Sequence, residues 1–302
     1  MSEIIMLFIL KSKRRLPHHA EKTIRVLAAK LKERGIESES IALDDLEVFL
    51  GENAVEMKLS GWTPSKNNPV FFRIVEKYKN ASYIFSKYLE TKNIPFIDNY
   101  HAFTRERGKL IQMFLLATNG INIPKTYYSP IYGSNKIRNA IKFLNFPIVI
   151  KLTNKERGEG VFLAKNRKTL CQALNKNKDE EIILQEFIDN DFDYRILALE
   201  HKTRLGEKRI RMDKKEFRNN TCMGAREEFL AAGTIPEEIR RISEQSSKIM
   251  NIQVCGVDVI ESRKGKIYVI ETNFAPSFTL GDKVSDELNQ LADYLKEWHE
   301  KK

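Results

Sequence analysis

Two apolar segments near the C-terminus carry oxygen-bearing side chains at a regular spacing. Asp258 lies in the first segment, and Glu271 and Asn273 lie in the second. Side chains alternate along a strand, so Glu271 and Asn273 should face the same side. A tight two-residue turn at Lys264 and Gly265 would place Asp258 directly opposite Glu271. Carboxylate and amide oxygens that converge on a sheet suit Mg²⁺, and the alternative is three polar side chains that point separately to solvent.

A lysine followed by a glycine-bearing loop is the second candidate for chemistry. Lys151 ends the apolar segment 147–150, and Gly158 and Gly160 follow in a polar loop. Backbone N–H groups of such a loop can wrap a phosphate, and Lys151 would add a positive charge. Because the spacing matches neither the GxGxxG pattern nor a P-loop, an ordinary β-hairpin is the alternative.

A strand end downstream of this loop could hold a nucleobase. It offers backbone groups and an aromatic side chain, although an edge strand that leaves a core would look the same. Its residues are Gln185, Glu186, Phe187 and Ile188.

A basic stretch that ends in a polar loop is a candidate for binding phosphate. Arginine binds phosphate or carboxylate through two parallel hydrogen bonds, and amide groups can position a transferring phosphoryl group. A solvated basic strand is the alternative. The residues are Arg209, Arg211, Phe217, Arg218, Asn219 and Asn220.

Other kinds of chemistry lack the residues they need. The five histidines show no HExxH spacing and no serine lies in a GxSxG elbow, which argues against zinc hydrolysis and triad chemistry. Cys171, Cys222 and Cys255 are an odd number without a CxxC pair, so they indicate neither a disulfide framework nor a zinc site.

The composition indicates a globular protein with a basic surface. The chain has 302 residues, 42% of them hydrophobic, and a formal net charge of +10. This charge is compatible with nucleic acid, an acidic membrane surface, an anionic small substrate or a merely solvated surface. No RNP-type motif appears, which disfavours nucleic acid. The apolar segment 4–10 is too short to span a bilayer and precedes its basic run, so it predicts a buried strand in a cytoplasmic protein without a membrane partner.

Alternating strand and helix patterns position these candidates. The first part of the chain is a βαβ series, which implies a parallel sheet. We therefore expect α/β followed by α+β architecture, with a parallel α/β domain over residues 1–99, a central lobe over 100–188 and a C-terminal lobe over 189–302. The predicted strands are 4–10, 38–43, 69–74, 94–97, 125–129, 147–152, 160–164, 182–188, 194–199, 209–213, 253–261 and 266–272, and the predicted helices are 19–34, 76–91, 104–118, 134–144, 167–174, 236–250 and 283–299.

The order of these motifs resembles the ATP-grasp superfamily, and particularly its RimK-type branch of ribosomal-protein glutamate ligases. The resemblance runs from residue 69 to about residue 277. Lys109 precedes the phrase 120–126, and the strand with the glycine loop follows it. Asp193, the Phe-Arg-Asn-Asn phrase and the final Asp, Glu-x-Asn set then come in the order typical of the family.

The resemblance implies an ATP-grasp fold with a Rossmann-like N-terminal domain, in which ATP lies between the central and C-terminal lobes. The implied metal is Mg²⁺, or Mn²⁺ in its place, held by Asp258, Glu271 and Asn273. Arg211 and Arg218 are the implied catalytic residues. The implied nucleotide-binding residues are Lys109, Lys151, Gly158, Gly160, Gln185, Glu186, Phe187, Ile188, Asp193 (at the ribose), Arg218, Asn219 and Asn220.

The reaction implied by the resemblance joins a carboxylate to an amine. The carboxylate attacks the γ-phosphate of ATP, and the amine then attacks the resulting acyl phosphate to form a peptide-type bond. Glutamate or an acidic peptide would suit the basic composition, with Arg73 as a candidate contact, and a homo-oligomer is compatible with the sequence. The alternatives are an ATP-grasp kinase that phosphorylates a hydroxyl group and a basic nucleic-acid-binding protein.

Three positions depart from the family pattern. The usual aspartate two residues before Lys109 is Arg107, and a Gly-Gly pair after the polar loop is Gly224-Ala225. The small, glycine-containing phrase after Asn273 reads Phe-Ala-Pro-Ser-Phe. By the resemblance these positions lie near the acceptor or acyl group, so the identity of the substrate stays open.

Overall fold

A computed structural model describes most of the chain. The described residues are 5–11, 18–52, 55–59, 62, 65, 69–75, 78–99, 101, 108–153, 160–213, 216–219, 224–276, 278 and 284–301. Two predicted site residues, Gly158 and Asn220, lie outside these ranges, as do Arg107 and Cys222. Cys171 and Cys255 are both free.

A parallel sheet forms the N-terminal lobe, as the βαβ pattern predicts. Its elements, in chain order, are β1 (Ile5–Lys11), α1 (His18–Glu33), β2 (Ile36–Ala42), β3 (Leu46–Leu50), β4 (Val55–Leu59), β5 (Val70–Ile74), α2 (Lys79–Thr91) and β6 (Phe96–Ile97). The parallel strands are ordered β2-β1-β5-β6. Residues Val70 to Arg73 are all buried, as expected for a parallel strand that is covered on both faces.

The hairpin of β3 and β4 is not predicted by the sequence analysis. Leu46 lies opposite Leu59 and Val48 lies opposite Met57, and all four side chains pack on the N-terminal core. Each strand has only five residues, so its alternation of apolar and charged positions is too short to stand out from a polar connection.

An antiparallel sheet covered by two helices forms the central lobe. The elements of this part of the chain are α3 (Lys109–Thr118), β7 (Thr126–Tyr128), α4 (Ser134–Leu144), β8 (Ile148–Leu152), β9 (Val161–Ala164), α5 (Arg167–Lys176) and β10 (Ile182–Glu186). The strand order is β7-β10-β8-β9. Ile148, Ile150 and Leu184 pack with α4 and α5. Because strand residues alternate, Lys151 and Gln185 face the opposite side.

The C-terminal lobe is a five-stranded antiparallel sheet with a different neighbour on each face. Its elements are β11 (Phe192–Leu199), β12 (Lys202–Ile210), β13 (Arg226–Ala231), α6 (Glu237–Ile249), β14 (Val254–Glu261), β15 (Ile267–Asn273) and α7 (Val284–Glu300). The strand order is β13-β12-β11-β14-β15. One face, with Ile196 and Val257, packs on α3 and α6. The other face, with Leu197 and Val254, packs on α1, α7 and the N-terminal sheet.

The C-terminal helix completes the core that the N-terminal lobe begins. The buried residues of α7 lie on one face of the helix, as helical spacing requires, and they contact the apolar face of α1. The α7 residues are Leu288, Leu291, Leu295 and Trp298, and the α1 residues are Ile24, Leu27 and Leu31. The lobes therefore share one hydrophobic cluster. No helix in the described ranges combines the length and the apolar character that crossing a membrane requires.

Two predictions about strands are wrong or incomplete. The predicted strand 209–213 instead begins at Lys202 and ends at Ile210, and β13 is not predicted. The pattern of β12 misleads because Glu207 and Arg209 are buried charges, 4% and 2% exposed, where an apolar residue is expected inside a sheet.

The shared core predicts a stability defect far from the candidate site. Leu291→Ala should lower the free energy of unfolding by about 3 kcal/mol, because it leaves a cavity between α7 and the N-terminal lobe. Urea denaturation measures this change. Lys296→Ala, on the exposed side of the same helix, should change it by less than about 0.5 kcal/mol. Equal effects of the two substitutions would contradict the shared core.

Candidate active site

The hairpin of β14 and β15 brings the three predicted oxygen ligands to one place. Asp258 is the pairing partner of Glu271, and Asn273 pairs with Gly256 two positions further along. Asp258 is buried, whereas Glu271 and Asn273 are partly exposed. The three residues therefore lie on adjacent strands, within two pairing positions of one another. Their role as metal ligands stays a prediction.

The predicted pairing is confirmed, but the predicted two-residue turn is wrong. The loop has three residues, because the N–H of Ser262 donates to the carbonyl of Lys266 at 2.8 Å, and Gly265 takes a positive φ of 75°. A β-bulge next to Asp258 then shifts the register by one residue. The two offsets cancel, so Asp258 still lies opposite Glu271.

Basic side chains neutralise both carboxylates. Arg195 donates to the two carboxylate oxygens of Asp258 at 2.8 and 2.9 Å, and the Nζ atom of Lys109 lies 3.2 Å from Oε1 of Glu271. Burial alone would raise the pKa of Asp258, but Arg195 and Arg209 more than offset burial and lower that pKa to about 2. Asp258 is therefore negatively charged at neutral pH.

A buried ionic network continues from Asp258 into the neighbouring strands. Arg209 donates to the carboxylate oxygens of Asp193 at 2.7 and 2.9 Å, and its Nη2 atom lies 3.4 Å from Asp258. Burial raises the pKa of Asp193 to about 6, although Arg209 opposes this shift. Asp193 is 3% exposed and bound to Arg209, so its predicted ribose contact stays a prediction that would require a change of partner.

Helix α3 places Lys109 beside β15. Gln112, one turn along the helix, is buried and accepts hydrogen bonds from the backbone N–H and the hydroxyl group of Thr272 at 3.1 and 3.2 Å. Thr272 lies between Glu271 and Asn273. This contact therefore fixes the start of α3 relative to the ligand set.

Lys151 faces the same region from the central sheet. It pairs with Ile183 of β10 and lies on the face opposite α4 and α5. Burial lowers the pKa of Lys151 to about 8, and the charges of Glu271, Lys109 and Asp258 also act on it. Glu271 and Asp258 belong to the C-terminal sheet, so Lys151 lies within electrostatic range of the charged groups of that sheet. The structure thus gathers Lys109, Lys151 and the ligand set between two lobes.

The predicted nucleobase strand is held by its backbone and by its side chains. β10 pairs with β7 on one side and with β8 on the other. Nε2 of Gln185 donates to the hydroxyl group of Thr126 at 2.8 Å, and Oε1 of Glu186 accepts from the N–H of Lys125 at 2.8 Å. Ile188 is buried. These contacts join β10 to β7, and the contact of residues 185–188 with a base stays a prediction.

Arg211 joins the loop after β10 to the loop after β12. Its Nη1 and Nη2 atoms donate to the carbonyls of Phe217 and Asn190 at 3.1 and 2.6 Å. Asn219 is buried and donates to the side chain of Asn190 at 3.1 Å, and the rings of Phe217 and Phe187 lie 6.5 Å apart. The predicted catalytic residue Arg211 therefore also orders the loop that carries the predicted phosphate-binding residues.

Arg218 and Gly160 have local structural partners. Arg218 pairs with Glu216 at 2.7 Å, and this hydrogen bonding lowers the pKa of Glu216 to about 2. Gly160 has a positive φ of 71°, and its carbonyl accepts from the N–H of Leu152 at 2.9 Å. Their roles in nucleotide binding stay predictions.

The ligand set suits Mg²⁺ by its chemistry. Two carboxylates and an amide supply hard oxygen atoms. In the described structure the Nδ2 atom of Asn273 is buried without a hydrogen-bond partner, so no contact from that atom fixes the amide. Within the described ranges no three His, Cys, Asp or Glu side chains converge on one point. A set of two carboxylates and one amide is typical of Mg²⁺ that is bound jointly by protein and phosphate oxygens.

Comparison with known proteins settles the family. Residues 106–293 match the RimK-like ATP-grasp domain. The chain belongs to this family. A relative from Maridesulfovibrio salexigens, named probable alpha-L-glutamate ligase, is 33% identical over 202 residues, or 65% of each chain. The match therefore spans slightly less than two thirds of that relative's length.

Solved structures confirm the ATP-grasp fold that the motif order predicts. The ATP-grasp ligase PsnB, complexed with a phosphomimetic variant of a minimal precursor, Mg and ADP, has a TM-score of 0.71 and 14% identity, covering 98% of this chain and 100% of PsnB. The macrocyclase MdnC, bound with precursor peptide MdnA from Microcystis aeruginosa, has a TM-score of 0.67 and 13% identity, covering 96% and 99%.

Some residues that build this RimK-like site have no assigned role in the sequence analysis. Gln112 positions α3, and Glu207 lies opposite Arg195 on the next strand. Arg209 is a candidate for phosphate, but the structure uses it to compensate Asp193. The sequence could have indicated this pairing through charge complementarity. Asp193 and Arg195 on β11 lie opposite Arg209 and Glu207 on β12.

The ionic network predicts a stability change that depends on both partners. Arg209→Met should lower the free energy of unfolding by about 3 kcal/mol, because it leaves Asp193 buried without its cation. Adding Asp193→Asn should recover at least half of this loss, since the uncompensated charge is then removed. Guanidinium denaturation of the single and double variants at pH 7 measures the coupling, and purely additive losses would contradict the network.

Proposed function

We propose that this protein is an ATP-dependent carboxylate–amine ligase that acts through an acyl phosphate. The observation that carries the proposal is the meeting of Lys109, Lys151 and the set Asp258, Glu271, Asn273 between the central and C-terminal lobes. Cations beside hard oxygen ligands form a site for a polyphosphate and its metal. Membership of the RimK-like family supports the same activity.

The lysines bind and orient the phosphates of ATP. Lys109 reaches the ligand set from the start of α3, and Lys151 reaches it from β8. Asp258, Glu271 and Asn273 hold Mg²⁺, which Mn²⁺ can replace. When bound, the metal neutralises charge on the transferring phosphoryl group. Lys109 exchanges Glu271 for a phosphate oxygen as the substrate enters.

Other residues position the transfer and exclude water. Arg211 holds the loop of Arg218 and Asn219 through the carbonyl of Phe217, and in this proposal that loop contributes both side chains to the phosphate site. We assign the exclusion of water to the glycine loop that ends at Gly160, as the resemblance to the family implies. Exclusion of water matters because an acyl phosphate hydrolyses before a slow amine can attack it.

The acid substrate is a small carboxylate or a peptide carboxylate. The relative from Maridesulfovibrio salexigens is named probable alpha-L-glutamate ligase, and PsnB and MdnC are complexed with a precursor variant and a precursor peptide. The net charge of +10 favours an acidic partner through long-range attraction. We include glutamate and acidic peptides in this proposal. The cytoplasmic location and a homo-oligomeric state stay predictions.

Hydroxylamine trapping tests the ligase chemistry against the kinase alternative. Incubation with ATP, Mg²⁺, a panel of amino acids and acidic peptides, and hydroxylamine should give a hydroxamate with release of ADP. An acyl phosphate reacts with hydroxylamine, whereas the phosphate ester that a kinase makes does not. Mass spectrometry identifies the product. ADP release with a phosphate ester and without hydroxamate would favour the kinase.

The metal ligands predict a specific loss of turnover. Glu271→Gln should lower substrate-dependent ADP release about 100-fold, because loss of a charged ligand removes about 3 kcal/mol of stabilisation from the phosphoryl transfer. Glu261→Gln is the matched control, since it makes the same change at the other end of the same hairpin, and it should keep its rate. A Glu271→Gln variant with the wild-type rate would refute the assigned metal site.

A further inference from the structure

The segment that follows Asn273 is held by a buried arginine of the N-terminal lobe. We call residues 274–278 the post-ligand segment; residue 277 is outside the described ranges. Arg73 of β5 is 5% exposed, and its Nη2 atom donates to the carbonyl of Pro276 at 2.6 Å. Its guanidinium carbon lies 4.7 Å from the ring centroid of Phe278, within the range of a cation–π contact. Arg73 thus contacts the post-ligand segment at two residues.

An aromatic stack from the N-terminal lobe holds the start of the same segment. The ring of His101 lies 5.8 Å from the ring of Phe274 in an edge-to-face arrangement, and it stacks on Phe72 at 4.6 Å. Phe72 is the neighbour of Arg73 on β5 and belongs to the N-terminal core. The first residue after Asn273 is therefore also fixed from the N-terminal lobe.

A glycine of the C-terminal sheet closes the other side of the segment. A Cβ atom added to Gly256 would lie only 2.9 Å from the Cβ atom of Pro276, which is closer than such atoms approach. Gly256 is also the pairing partner of Asn273. The post-ligand segment is thus packed between β14 and Arg73, and it folds back over β14.

We infer that Arg73 is a positioning residue for the metal ligand Asn273, acting through the post-ligand segment. The inference rests on the proposed function, which assigns Asn273 to the metal. No hydrogen bond from its Nδ2 atom holds the side chain in the described structure, so its direction depends on the backbone on either side. The N-terminal lobe thereby forms part of the metal site without supplying a ligand.

Metal binding without turnover tests this role. Mn²⁺ binding to the full chain with a non-hydrolysable ATP analogue is followed by electron paramagnetic resonance, and binding of the analogue alone is measured separately. Arg73→Met should weaken Mn²⁺ binding roughly 10-fold, the usual effect of losing a residue that orients a ligand. Affinity for the analogue without metal should stay within about twofold. Arg73→Lys, which can still donate to Pro276, should recover part of the loss.

Two further variants make the result decisive. Gly256→Ala displaces Pro276 from the opposite side and should also weaken Mn²⁺ binding. Arg34→Met is the matched control, because Arg34 likewise joins the N-terminal lobe to the C-terminal part of the chain, through Asp293 at 2.6 Å, but has no contact with the segment among the described residues. Circular dichroism and thermal unfolding establish that each variant folds.

Wild-type Mn²⁺ affinity in folded Arg73→Met and Gly256→Ala would overturn the inference, and so would an equal loss in Arg34→Met. If Arg73→Met does not fold, Gly256→Ala decides the question. Failure of the ligase proposal is recognised separately, since it removes hydroxamate formation from the wild-type protein and leaves the Mn²⁺ comparison intact.

Discussion

The negative charge of Asp258 is the constraint on which the site depends. A carboxylate removed from water is strongly destabilising unless cations and hydrogen bonds compensate it. Here Arg195 supplies two hydrogen bonds and Arg209 a third cationic contact, and Arg209 in turn needs Asp193. Four charged side chains must therefore keep fixed cross-strand positions. A slip of one residue would send them to opposite faces of the sheet, so the ionic network also sets the register of β11, β12 and β14.

The pairing of each carboxylate with a basic side chain also explains why the site can contain acidic and basic groups together. Arg195 and Lys109 neutralise Asp258 and Glu271 in the protein alone, so repulsion between the two carboxylates does not force the hairpin apart. In the proposed function, a polyphosphate with its metal brings both signs of charge and exchanges partners with these pairs. Lys109 therefore depends on a fixed backbone rather than on a single partner. The contact of Gln112 with Thr272 supplies that fixed backbone for Lys109.

Much of this arrangement can be predicted from the sequence. The exceptions are contacts that depend on how distant strands pair. Alternation within one strand is local, so it correctly places Glu271 and Asn273 together, and the buried face of α7 follows from helical spacing in the same way. The pairing of Asp193 with Arg209 depends on register between strands, which no local pattern records. A buried charged residue also resembles a surface residue in the sequence. The order of motifs identifies the family, while the nucleotide contacts of residues 185–188 stay predictions.

The sharing of one core by α1 and α7 has a consequence for the synthesis of the chain. Chains emerge from the ribosome with the N-terminal region first. The apolar face of α1, with Leu27 and Leu31, is covered by helix 284–300, which is made more than 250 residues later. Until translation passes that helix, the part of the α1 face that α7 covers stays exposed, although the N-terminal sheet covers the rest. During this interval, holdase chaperones would have an obvious surface to bind.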